Sequence, residues 1–267
     1  MFNFFKKKKS PKKPLIEIWS QYRGLEEIDL IRPVWGMKNH LPDWFDKMPR
    51  MMSDSESLFD KVKPGTIKTC PGLAEFFSEA VIIPLWTDTI LACDSEGNYK
   101  FASSARDQIE HTQFNWEMHG FGQMLQHAPS WVKEETSCIF KATCPWLIKT
   151  PPGYSVMQLP MFYHFNRNWT VMPGVIRSDI YHEMNQQVML HTKHEETMIR
   201  AGTPLAMYVP FRREEYDFEV RESTSEDFKS HMTARLSKLT FQQGYRSILQ
   251  KQQKNIEDAK GTLGRKI

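Results

Sequence analysis

The side chains best suited by type to do chemistry are histidines and carboxylates gathered in one run, Tyr181-His-Glu-Met-Asn-Gln-Gln-Val-Met-Leu-His-Thr-Lys-His-Glu-Glu196. Imidazole nitrogens and carboxylate oxygens together suit iron, manganese, nickel or zinc. His182, Glu183, His191 and His194, with His164 from a neighbouring strand, could supply two histidines and one carboxylate. Such a set would hold one divalent metal that activates water or binds oxygen. The spacing of three between His191 and His194 argues the other way, because side chains on a strand alternate faces and these two rings would diverge. The competing expectation is no cofactor, with 191–196 a polar hairpin turn.

A second group, His111, Glu117, His119 and His127, lies in and just after Ile109-Glu-His-Thr-Gln-Phe-Asn-Trp-Glu-Met-His-Gly-Phe-Gly122. His111 and His119 are eight residues apart, which one helix face or one strand face would accommodate. The H-E-x-x-H pattern of zinc proteases is missing, and so are both glycine-rich nucleotide loops and the G-x-S-x-G elbow. Four cysteines, Cys70, Cys93, Cys138 and Cys144, form no C-x-x-C pair and read as reduced, buried thiols. A further possibility is recognition without reaction, in a pocket lined by Trp86, Trp116 and Trp146.

The elements that would position these residues are mainly strands. Leu15–Trp19 alternates. Ala80–Cys93 is β-branched and runs into the turn Asp94-Ser-Glu-Gly-Asn98 and the returning Tyr99–Ala102, a hairpin pattern. Further strands are expected at Ile139–Thr143, Tyr154–Leu159, Trp169–Val175, Gln187–His191 and Pro204–Val209, separated by turn residues rich in proline and glycine. Short, evenly spaced strands point to a mostly antiparallel β-sandwich or jelly roll. Two pieces frame it: a Trp/Pro-rich N-terminal wrap (Trp35, Pro42, Trp44, Phe45, Pro49) and a short helix over Pro71–Glu79. After Glu222 the pattern turns helical, opening on the capping box Ser223-Thr-Ser-Glu226. The expected organisation is a basic flexible tail over 1–14, a β-rich domain over 15–222 and a C-terminal helical segment over 223–261.

Composition bounds the rest. The 267 residues are 40% hydrophobic, enough for a sizeable core. Net charge is +3, but Lys6 to Lys9, Lys12 and Lys13 put six positive charges in the first thirteen residues, so the remainder is slightly acidic. Specific nucleic-acid binding is therefore not expected, whereas the tail could meet an anionic surface. No stretch is apolar enough for a transmembrane helix, and Met1–Phe5 is too short for a secretory signal.

Two resemblances add to this. His191-x-x-His194, then Glu195 and, after six residues, Gly202, resembles the first cupin motif, although that motif carries H-x-H. It would imply a metal-dependent enzyme, with an Fe(II)-dependent oxygenase among the options. More extensively, Cys70-Pro-Gly-Leu73, Pro84-Leu-Trp-Thr-Asp88, Pro151-Pro-Gly-Tyr154, Phe162-Tyr-His-Phe-Asn166, Met172-Pro-Gly-Val-Ile176, Asp179-Ile-Tyr-His182 and Gly202-Thr-Pro-Leu205 are similar to phrases of an uncharacterised family of tailed-bacteriophage proteins, from T-even-like phages of marine bacteria. The likeness spans about residues 33–215. It implies a phage origin, a β-rich body and a place in host cytoplasm or virion, and no reaction. The leading expectation is an accessory or structural protein that works by contact with a protein partner or with itself, through its helix and aromatic surface.

Overall fold

The computed structural model describes residues 13–20, 22–38, 40–52, 65–93, 99–103, 116–136, 138–191 and 196–240. The chain divides into two compact units, residues 1–48 with 76–213, and residues 49–75 with 214–267. This division places 49–75 with the C-terminal part, where the sequence suggested one β-rich stretch over 15–222.

The first unit is mainly β, and all of its strand pairings are antiparallel. Its longest strand is β7 (Cys138–Lys149). One edge of β7 is shared end to end by β1 (Glu17–Ser20) and β6 (Trp116–His119). Its other edge carries β11 (Glu183–Leu190), followed by β9 (Trp169–Val171). Pro145 lies inside β7 and has no N–H to give to a ladder. It sits between the β6 pairing, which ends at Ala142, and the β1 pairing, which starts at Trp146. On the opposite side the β11 register slips between Glu183 and Asn185, so the irregularity falls where the proline is.

The second sheet runs β10 (Gly174–Ile176), β8 (Tyr154–Pro160), β13 (Pro204–Arg212), β3 (Val81–Pro84) and β2 (Val34–Trp35). A third, three-stranded sheet joins β12 (Thr197–Ile199), β4 (Thr89–Cys93) and β5 (Tyr99–Ser103). The expected hairpin of Ala80–Cys93 with Tyr99–Ala102 is present as the β4–β5 pair. The apolar run itself, however, divides at Pro84 and feeds two sheets. Around that corner the Leu85 N–H donates to the Thr203 carbonyl, the Gly202 N–H to the Leu85 carbonyl, and the Ala201 N–H to Asp88 Oδ1 at 2.7 Å. Strands that change sheets at such corners are a feature of packed sheets.

One core cluster draws on all three sheets: Val81, Ile83 and Leu85; Leu91; Phe140, Trp146 and Ile148; Val188 and Leu190; Leu205 and Tyr208. The arrangement is sandwich-like. Some of the polar groups buried in it bond one another. Tyr208 Oη donates to Gln158 Oε1 at 2.8 Å, and Gln158 Nε2 donates to the Met172 carbonyl at 2.9 Å. The body ends at Arg213, whose N–H donates to the Gly153 carbonyl. Its guanidinium grips Asp179 through both nitrogens, at 2.9 and 2.5 Å, and the Tyr154 carbonyl at 2.7 Å. That pairing holds the Asp179 carboxyl down at about 2.

The N-terminal wrap is present, with the short helix α1 (Asp43–Lys47) in it. The helix expected near Pro71 is α2 (Pro71–Ser78). A further short helix, α3 (Ser130–Glu135), precedes β7. In the second unit, α4 (Ser225–Thr240) is capped one residue later than its sequence suggested. Thr224 Oγ1 accepts from the Asp227 N–H and Asp227 Oδ2 accepts from the Thr224 N–H, a reciprocal capping box. The tail over 1–12 and everything after Thr240 lie outside the described residues. No described helix is long and apolar enough to cross a membrane.

Candidate functional site

Among the described residues, the histidines and carboxylate expected to bind metal form no common cluster. His182 and His191 flank β11, and nine residues of strand at roughly 3.3 Å each separate them by about 30 Å. His182 Nδ1–H donates to the Ile148 and Ser178 carbonyls at 3.2 and 3.1 Å, and its ring meets the edge of Trp19. Glu183 accepts the Tyr181 hydroxyl at 2.5 Å. His191 Nε2 bonds Thr170 Oγ1 at 2.8 Å. His164 Nε2–H donates to the His40 carbonyl at 2.9 Å. His194 lies outside the described residues. Among the described residues no three His, Cys, Asp or Glu side chains converge on a common point for a metal. Strand β11 thus holds His182 and Glu183 at the opposite end from His191.

The second group is also dispersed. Glu117 pairs with Lys141 at 3.3 Å, and His119 Nδ1–H donates to Gln123 Oε1. His127 ends a single 3-10 turn, and His111 is outside the described residues. The three tryptophans all belong to the core cluster. Trp86 and Trp116 are packed in the core, Trp116 edge-on to Phe140. Trp146 is also a core residue, and it borders a cleft of about 300 Å³ with Ile16, Ile18, Arg32 and Val34.

What the fold does assemble is an aromatic cleft around His164. The loop after β8 folds Phe162-Tyr-His-Phe165 so that Tyr163 (φ 69°) and Phe165 (φ 50°) both occupy the left-handed region. For residues with a bulky Cβ substituent this conformation costs roughly 1–2 kcal/mol each, and the surroundings must hold it in place. The wrap does so. Trp44 Nε1–H donates to the Tyr163 carbonyl at 2.8 Å, and the His164 ring is fastened to His40 from the other side.

Rings continue the lattice. Trp44 lies 5.4 Å from Phe165 and 5.6 Å from Phe45; Phe45 is 5.2 Å from Phe77; Phe77 is 5.6 Å from Tyr163; Phe76 is 5.8 Å from Phe162. Most of these pairs are edge-on, the arrangement ring quadrupoles favour. Beside this lattice opens a second cleft of about 300 Å³, lined by Pro160 to Asn166, Trp169 to Val171, Thr203 and Pro204. Phe165 stands at its mouth, 72% exposed.

Two of the expected site residues meet here indirectly, because Thr170, which bonds His191, lines the cleft with His164. Burial lowers the pKa of His164, of His40 and of His191, so all three favour the neutral ring. Each of His164 and His191 has a ring nitrogen committed to a structural bond. The cleft is lined mainly by apolar and aromatic side chains. The signal that could have found it is the aromatic density of Phe162 to Phe165 beside that of Trp44-Phe45 and Phe76-Phe77. The chain matches no protein-family model and no curated protein sequence.

Proposed function

We propose that this chain is a bacteriophage accessory or structural protein that acts by protein–protein contact, with the aromatic cleft as its contact site. The observation carrying this reading is Phe165. The backbone is strained to present it, yet its ring is largely exposed. A large ring presented to solvent beside an apolar cleft is what an interface anchor looks like. The sequence phrases shared with tailed-phage proteins support the origin, and host cytoplasm or virion follows from it. The lysine run at the N-terminus would assist at an anionic surface.

The test is quantitative mass spectrometry of gradient-purified particles, with wild-type chain and with Phe165→Gly. Wild-type protein at a fixed copy number, depleted at least tenfold by the substitution, is the expected result. Wild-type protein absent from particles, or a variant incorporated as well as wild type, overturns the reading.

A further inference from the structure

Directly after Arg213 the chain runs Glu214-Glu-Tyr-Asp-Phe-Glu-Val-Arg-Glu222, with apolar residues at every second position. This is the pattern of a strand with one face to bury. No strand or helix includes these residues, and every one of them is exposed. Tyr216 is 78%, Phe218 89% and Val220 83% exposed. Each end is bonded within its own unit. Arg213 is clamped to Asp179, Tyr154 and Ser155. At the far end Arg221 Nη1 donates to Asp227 Oδ2 at 2.6 Å, beside the Thr224 cap. An anchored segment that shows three large apolar side chains to solvent is an arm awaiting a surface.

We propose that this arm docks in the aromatic cleft of a second copy of the chain, with Phe218 as the ring that enters beside Phe165. The inference rests on the contact reading above and names its partner. Shape and chemistry both favour it. The cleft is apolar, and at about 300 Å³ it has room for an aromatic side chain. Charge agrees as well. The arm carries five carboxylates and one arginine. The cleft lining includes no carboxylate, and the exposed Arg167 lies between the lining residues Asn166 and Trp169. Arm and cleft are different surfaces, so the contact is head-to-tail and each copy both gives and receives.

Sedimentation of the full chain across a concentration series tests this, with Phe218→Asp removing the arm's anchor and Phe165→Gly removing the cleft's. Phe218 is so exposed that its replacement leaves the fold intact. Wild type is expected to self-associate. Each variant alone is expected to associate at least tenfold more weakly. An equimolar mixture of the two variants is expected to form a one-to-one dimer, because one partner keeps its arm and the other its cleft. A wild-type chain that stays monomeric at about 100 μM, well above the micromolar range of ordinary weak contacts, overturns the proposal. So do variants that associate like wild type, and a mixture that stays monomeric. A monomeric wild type that still enters particles through Phe165 would overturn arm exchange alone and leave the contact reading standing.

Discussion

Replacing Phe165 by glycine and by alanine separates the strain in the cleft from its packing. At an ordinary position glycine is the less stable of the two by roughly 0.5–1 kcal/mol, because its unfolded chain is freer. At φ 50° alanine retains the left-handed penalty of roughly 1–2 kcal/mol and glycine loses it. The order therefore inverts, with glycine above alanine by about 1 kcal/mol. Both variants lose the tilted contact with Trp44, worth about 0.5–1 kcal/mol for a ring that is mostly in solvent. Phe165→Gly is thus expected within about 0.5 kcal/mol of wild type, and Phe165→Ala about 0.5–1 kcal/mol below it. Urea unfolding of the three proteins, compared at equal slope, reads these differences as midpoint shifts. A glycine variant less stable than the alanine variant would refute the claim that the fold holds this loop under strain.

Three other measurements follow from the same geometry. Gly153 (φ 83°) faces open space, so Gly153→Ala should cost roughly 1 kcal/mol of conformational energy alone. A Cβ added at Gly202 (φ 80°) would run into the Leu30 side chain and come within 3.2 Å of its carbonyl, so Gly202→Ala should cost about 2–3 kcal/mol; equal losses in denaturant would refute the Leu30 contact. Burial holds His40 and His164 below the ordinary imidazole value of about 6.5, so the unfolded chain binds protons first as pH falls. Their stabilisation is present above that value and lost below it, and the melting temperature should drop between about pH 7 and 5, less steeply in His164→Asn; a flat or rising profile would count against neutral, buried rings. Burial pushes the Cys138 thiol well up and Cys144 up to about 12, while Cys93 is buried and Cys70 exposed. Native protein should therefore give one fast-reacting thiol with a disulfide reagent at pH 8, and two or more fast thiols would show that the core opens.

The strands were legible because alternation and β-branching mark them, but sheet membership was not. Proline punctuation carried meanings that sequence alone does not separate. Pro84 divides an apolar run between two sheets, and Pro173 divides Trp169–Val175 into β9 and β10, again in different sheets. Pro145, with the same chemistry, leaves β7 continuous because two short strands abut there and neither needs its N–H. The short strands β2, β6 and β12 went unread because two to four residues hold too little pattern. The cleft was hidden for a related reason. Left-handed backbone is announced in sequence by glycine or asparagine, and here two aromatic residues adopt it, held by a tryptophan and a histidine from more than a hundred residues away.

The same distance explains why the histidine run suggested chemistry. Its members are close in sequence because they terminate β11, and a strand separates its own ends. At those ends the chain leaves the ladder, and main-chain carbonyls lose their regular partners. An imidazole N–H can donate to such a carbonyl, and two rings do so. His182 ties the start of β11 to Ile148 and Ser178, and His164 ties the cleft loop to the wrap at His40. At the far end His191 meets Thr170 of β9. His164 shapes the cleft through its bond to His40, and the cleft in turn presents Phe165. Removing the His164 tie should therefore weaken association of the chain through the loop it positions, with Phe165 itself unchanged.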